Sequence, residues 1–194
     1  MDADRLTFAC ATAAEERVAR RAGLDAARIG VGGVAGLPAG RLVSFGLAGA
    51  LHDGLAIGDV LDATRVVDPA GATLWEGEAL GVPGARAGTL VASRVLVADA
   101  GERQRLREAS GADAVDMESG VLAASGRLAG CVRAISDVPA SSIEGVDTTV
   151  HPDGRTDVLG LLRWVAANRG SAIRSMRDAL AALRTLRHAA EGLT

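Results

Sequence analysis

An α/β fold, a three-layer sandwich around a mixed central sheet, follows from three features of this 194-residue chain. Short apolar runs alternate with charged helical segments, turns rich in glycine and proline separate them, and helical segments close the sequence. The length suits one hydrophobic core, so residues 1–194 are expected to form a single domain.

The elements follow in order. Leu6 to Ala11 is an apolar run suited to a central strand, and Ala13 to Ala22 has helical composition with Gly23 as its stop. Arg28 to Val31 and Arg41 to Phe45 read as strands, joined by a loop from Gly32 to Gly40. Within it, Gly30-Val31-Gly32-Gly33-Val34-Ala35-Gly36 mimics a dinucleotide fingerprint, but Leu37-Pro38-Ala39-Gly40 denies it the helix that motif needs. Asp59 to Val67 and Thr73 to Glu76 are expected to pair antiparallel around Asp68-Pro69-Ala70-Gly71. Ala87 to Ala98 reads as a long strand, Gly101 to Ala109 as a helix, and Ala112 to Val115 as a short strand. Glu118 then opens an apolar helical segment carrying Val121, Leu122, Leu128 and Ala129. Cys131 to Ile135 reads as a buried strand ending at Ser136-Asp137. Thr156 to Ala167 and Ser171 to His188 read as closing helices, the second with Ile173, Met176, Leu180 and Leu183 on one face.

Composition narrows the function classes. Twenty-one basic and 24 acidic residues give a net charge of -3, which supplies no broad basic field for nucleic acid. Apolar runs fall short of the roughly 18 to 20 residues a membrane span needs, and the acidic start Met1-Asp2-Ala3-Asp4-Arg5 lacks the form of an export leader. A soluble cytoplasmic protein is expected. Cys10 and Cys131 sit in apolar strand-like runs and are read as small buried hydrophobes. His52, His151 and His188 are scattered and suggest no metal site. Aromatics are few and tyrosine is absent, so aliphatic side chains must fill the core.

Two stretches carry the chemistry. Val115-Asp116-Met117-Glu118-Ser119 and Arg133-Ala134-Ile135-Ser136-Asp137 each place a carboxylate at the edge of an element, where ligands of open α/β sheets collect. Paired acids suit glycosidic-bond cleavage, which passes through a sugar of oxocarbenium character. Glu118, in a first helical turn, should stay ionised and accept hydrogen bonds from ribose hydroxyls. Asp137, at the end of a buried strand, should feel desolvation that helps it hold a proton, with the bound purine completing the transfer.

These stretches resemble the ribose-binding and catalytic-acid motifs of the nucleoside phosphorylase and nucleosidase superfamily. Ser44-Phe45-Gly46-Leu47-Ala48-Gly49-Ala50-Leu51, followed by Gly58-Asp59-Val60, is similar to that family's glycine-rich strand-turn segment. The resemblance implies a nucleoside phosphorylase-like fold, a purine nucleoside as partner, and a homo-oligomer, a dimer. It implies Asp137 as the acid, Glu118 and Asp116 on the sugar side with Met117 against its face, and Gly46, Leu47, Ala48 and Gly49 as backbone contacts. Val97 and Ala98 would contact the base. Ala14-Glu15-Glu16-Arg17-Val18-Ala19 resembles the segment where nucleosidases carry the acid that orients attacking water. Glu16 can pair with Arg20 one turn on, which leaves Glu15 as the candidate.

The nucleophile stays open. His151-Pro152-Asp153-Gly154-Arg155-Thr156-Asp157-Val158 resembles the tail of hopanoid-associated phosphorylases, which implies adenine release from an adenosylated hopanoid with phosphate as co-substrate. Gly32 and Gly33 would then form an anion nest, and no other cofactor is implied. Leu47 and Ser44 stand where relatives carry groups that touch phosphate, which favours water and a 5'-methylthioadenosine or S-adenosylhomocysteine type of nucleosidase. The short connection before the glycine-rich strand leaves a third alternative, a catalytically weakened nucleoside-binding or assembly protein.

Overall fold

The computed structural model describes residues 6–141 and 169–194. Eight strands form one mixed sheet: β1 (Leu6–Cys10), β2 (Ala26–Arg28), β3 (Arg41–Ala50), β4 (Val60–Val67), β5 (Thr73–Glu76), β6 (Arg86–Ala92), β7 (Ala114–Asp116) and β8 (Leu128–Asp137). Among the described residues four helices accompany it: α1 (Ala13–Arg21), α2 (Ala100–Ser110), α3 (Ser119–Ala124) and α4 (Arg169–Glu191).

Strand β3 organises the sheet. It runs parallel to β1 and β8 and meets β7 antiparallel at its far end. Strand β8 pairs antiparallel with β4, β4 parallel with β6, and β6 parallel with β7. The pairings thus close a ring, β3-β8-β4-β6-β7, with β1 and β2 extending from β3 and β5 from β4. Closure leaves few free edges and fixes the ends of β3 and β8, and β1, parallel to β3, finishes at the same rim.

The two-residue period of the strands sorts their side chains. Phe8, Cys10, Val43, Phe45, Val132 and Ala134 face α1 and α4, where Ala19, Ala182, Leu186 and Ala190 meet them. Ala9, Leu42, Cys131 and Ile135 face the other cluster, with Leu61, Leu90 and Leu122. A third cluster, Leu51, Val67, Val91, Val97, Ala112 and Val115, packs with Leu106 of α2. Phe8 and Phe45 meet edge to face at 5.6 Å, a geometry aromatic rings prefer.

Several expected boundaries move. Residues 31–33 form a 3-10 turn and the second strand lies earlier, at Ala26–Arg28, where β1 pairs with it. Strand β3 continues through the glycines to Ala50 because β8 supplies partners along nearly its whole length. The long sixth strand stops at Ala92; Ser93 Oγ donates to Val95 O and accepts from Val95 N, turning the chain away. Helix α3 has only six residues, and Leu128 and Ala129 belong to β8. On α4 the buried face is Ala182, Leu186, Ala189 and Ala190, while Met176 and Leu180 are exposed. Small residues let that helix lie close to the sheet. The expected helix from Thr156 to Ala167, His151 and the tail segment lie outside the described residues.

Candidate active site

At the rim, two acid–arginine centres sit three residues apart on β3, one at Gly46 and one at Gly49. A Cβ on Gly46 would collide with Glu15 Oε1 and lie 2.6 Å from Arg133 Nη1; one on Gly49 would lie 2.8 Å from Asp137 Oδ2 and 3.2 Å from Arg103 Nη1. Both positions are in extended strand, not in a turn. These glycines therefore serve by lacking side chains, which lets charged groups reach the backbone.

Glu15 is placed by the first turn of α1. Thr12 is the N-cap: its hydroxyl accepts from Glu15 N at 3.3 Å, while Glu15 Oε2 accepts from Thr12 N at 2.7 Å and from Thr12 Oγ1 at 2.8 Å. This reciprocal capping box both starts the helix and aims the carboxylate. Oε1 accepts from Leu47 N at 3.0 Å. Glu15 is only 4% exposed. Its neighbour Glu16 instead pairs with Arg20 at 2.8 Å on the surface.

Arg133 is the fully buried centre of the first group. Its guanidinium pairs with Asp116, reaches Glu118 Oε2 at 3.4 Å, and donates to Ser44 Oγ at 2.6 Å and Leu47 O at 3.4 Å. Asp116 also accepts from Ser119 N and Ser119 Oγ. That carboxylate is enclosed and spent on Arg133 and Ser119, so it shapes its neighbours and does not face a ligand as expected. Ser44 is an anchor for Arg133.

Glu118 departs from expectation. It caps no amide of its own short helix; Oε1 instead accepts from Gly32 N at 3.0 Å. Burial pushes its carboxyl up to about 7, with Asp116 and Glu15 adding to the rise and Arg133 and the Gly32 amide opposing it. The helix terminus does not keep it firmly ionised because desolvation is the larger effect. Gly33 N donates to Gly30 O. With both glycine amides engaged, Gly32 and Gly33 form no open anion nest.

Asp137 also stands differently. Its side chain is 28% exposed and ion-paired with Arg103, a residue of α2 that is 4% exposed. Oδ1 accepts from Ser136 Oγ at 2.9 Å. Desolvation in a buried strand end is therefore not its environment. Arg103 Nε also donates to Val97 O at 3.1 Å, which takes the carbonyl expected to meet the base. Ala98 remains partly exposed beside it. Burial pushes the Cys10 and Cys131 thiols up, which makes both poor nucleophiles. His52 leans on Asp113 at 3.3 Å, and among the described residues no cluster of metal-binding side chains occurs.

The ring-closed mixed sheet and the rim of acids define the chain as having the nucleoside phosphorylase-like fold. Solved structures share it. A 5'-methylthioadenosine/S-adenosylhomocysteine nucleosidase from S. pneumoniae, bound to a transition-state inhibitor, superposes with a TM-score of 0.62 at 13% identity, over 97% of this chain and 99% of its own. The Helicobacter pylori MTAN D198N mutant, with 5'-methylthioadenosine in its active site, gives 0.61 at 16% identity over 84% of this chain and 99% of its own. A futalosine hydrolase mutant of Helicobacter pylori gives 0.58 at 15% identity over 84% of this chain and 98% of its own. No protein-family model and no curated protein matches the sequence. Among the described residues no helix is long and apolar enough to cross a membrane.

Proposed function

We propose that the protein hydrolyses the N-glycosidic bond of a purine nucleoside, with a 5'-substituted adenosine such as 5'-methylthioadenosine as the substrate class. One observation carries this reading: a buried acid, Glu15, is fixed by three hydrogen bonds at the same rim as Glu118 and Asp137. A carboxylate offers about four acceptor sites, so one remains to take a proton from water. In the reaction the C1'–N9 bond breaks with its electrons going to the purine, and water oxygen bonds to C1'. The water proton passes to Glu15, and the purine imidazole nitrogen takes its proton from Asp137, which has first bound one from solvent at its partly exposed carboxyl. Glu15 returns its proton to solvent after release, so both acids are restored. Glu118 holds ribose hydroxyls, and Met117 lies beside it against the sugar.

Phosphorolysis would need donors for an anion, and the amides of Gly32 and Gly33 are engaged within the protein. The adenosylated-hopanoid reading rests on the tail segment alone. Adenine release from 5'-methylthioadenosine, measured with and without phosphate, tests the choice. Turnover is expected to be indifferent to phosphate; an absolute requirement for it would restore the phosphorylase reading.

Glu118 gives a pH signature. As an acceptor for ribose hydroxyls it must be ionised, and burial holds its carboxyl at about 7. Activity should therefore fall as pH drops through this value, giving kcat/KM an acid limb near pH 7. In kcat the limb should lie lower, because bound hydroxyls favour the charged form. A pH series from 5 to 9 on the protein and on Glu118→Gln checks this: a limb that persists in the variant belongs to another group.

A further inference from the structure

We infer that Arg103 is a positioning residue for Asp137, and that it couples the acid to the segment that closes the base side of the site. This inference rests on the role given to Asp137 above. Arg103 lies outside all three stretches that carry the family resemblance, on the first turns of α2. It is 4% exposed, which is unusual for a charged side chain unless it is thoroughly paired. Each of its nitrogens is engaged by a different part of the rim. Nε donates to Val97 O at 3.1 Å in the β6–α2 connection, Nη1 to Ala50 O at 3.0 Å at the end of β3, and Nη2 to Asp137 Oδ2 at the end of β8.

The fork therefore ties three chain segments to one carboxylate oxygen. Ser136 Oγ donates to the other oxygen, so the carboxyl plane is held from both sides. Gly49 makes the arrangement sterically possible, since a Cβ there would stand 2.8 Å from Asp137 Oδ2 and 3.2 and 3.4 Å from the Arg103 nitrogens. A reacting acid misplaced by about 1 Å costs on the order of a hundredfold in rate, and β8 leaves Asp137 at its last residue, with no strand beyond to fix it. Arg103 supplies that missing constraint.

A double-mutant cycle on the full chain tests this, with kcat and KM for adenine release from 5'-methylthioadenosine as readout and thermal melts reporting folding. Arg103→Met is expected to lower kcat by roughly ten- to a hundredfold with KM changed less than about threefold, as loss of orientation predicts. In a protein already carrying Asp137→Asn, the same replacement should change kcat by less than about twofold, because Arg103 acts through that carboxylate. A merely structural arginine would lower kcat by the same factor in both backgrounds, and that additivity would overturn the inference. Should Arg103→Met fail to fold, the cycle is run with Arg103→Lys, which keeps a cation but not the fork, and non-additivity is again expected. Full activity in Asp137→Asn alone would remove the acid role itself, and the inference with it. Loss in Asp137→Asn with full activity in Arg103→Met would remove only the inference.

Discussion

Glu15→Gln is expected to lower kcat for adenine release by about a thousandfold, within the range by which a general base accelerates a reaction, while the protein stays folded. The separation of the two effects comes from the capping box. Glutamine serves at this position of the box as glutamate does, so the start of α1 survives. Of the three donors that meet the carboxylate, Thr12 N, Thr12 Oγ1 and Leu47 N, an amide can satisfy those facing its oxygen. Its nitrogen then confronts a donor on the other side, a mismatch of about 1 to 2 kcal/mol. That loss shows as a modest drop in melting temperature and leaves the fold intact. Chemistry has no such reserve, because an amide cannot take the proton of the attacking water. Glu16→Gln is the control one residue away: it gives up a surface pair with Arg20, about 0.5 kcal/mol, and should leave kcat unchanged. A folded Glu15→Gln protein keeping more than about a tenth of the original kcat would mean that water is activated elsewhere.

What could be read from the sequence follows from which interactions are local. Strand β5, the turn at Asp68-Pro69-Ala70-Gly71 and helix α1 emerge where expected because period, turn residues and caps act within a few residues of one another. The choice of Glu15 over Glu16 as the inward acid rests on the same short-range logic. Strand β3 extends beyond the run Arg41 to Phe45 because glycines that resemble a turn find strand partners in β8, nearly ninety residues later. The buried face of α4 differs from the one its large apolar residues suggest, because alanines allow the close approach the sheet requires.

The site shows the same division. Its acids lie in recognisable stretches, but the arginines that hold them do not announce themselves. Arg133 carried one signal, a charge inside the apolar run from Cys131 to Ile135, which a buried strand tolerates only when the charge is paired. Arg103 carried none, since α2 is charged along much of its length and its partner lies 34 residues away. Asp62 is a third case. It is 3% exposed and accepts from the amides of Leu80, Gly81 and Val82, which a reading of β4 alone could not anticipate.

Arg133→Met should give the largest loss of stability, about 3 to 5 kcal/mol, because it breaks a buried pair and leaves its carboxylates without a cation. Asp116 is fully buried and Glu118 nearly so, and neither can turn to solvent without dismantling β7 and α3. For a chain of this length the loss corresponds to a fall of roughly 6 to 20 °C in melting temperature. The dependence on pH identifies the cause. Burial already holds the Glu118 carboxyl at about 7 against its ordinary value of 4.5, and Arg133 is the chief force pulling it down. Without that arginine the folded-state value rises further. A carboxyl raised in the folded state binds its proton more tightly there than in the unfolded chain. The variant is therefore least handicapped below about pH 4.5 and loses stability as pH rises through 7 and beyond. Urea titrations at pH 5.5 and pH 8 should show a distinctly larger deficit at pH 8. An equal deficit at both would assign the loss to the hole left by a large side chain and not to stranded charge. Arg133→Lys separates these further: it restores a cation, so the pH dependence should largely vanish, yet it cannot reach Asp116, Ser44 and Leu47 together, so part of the loss should remain.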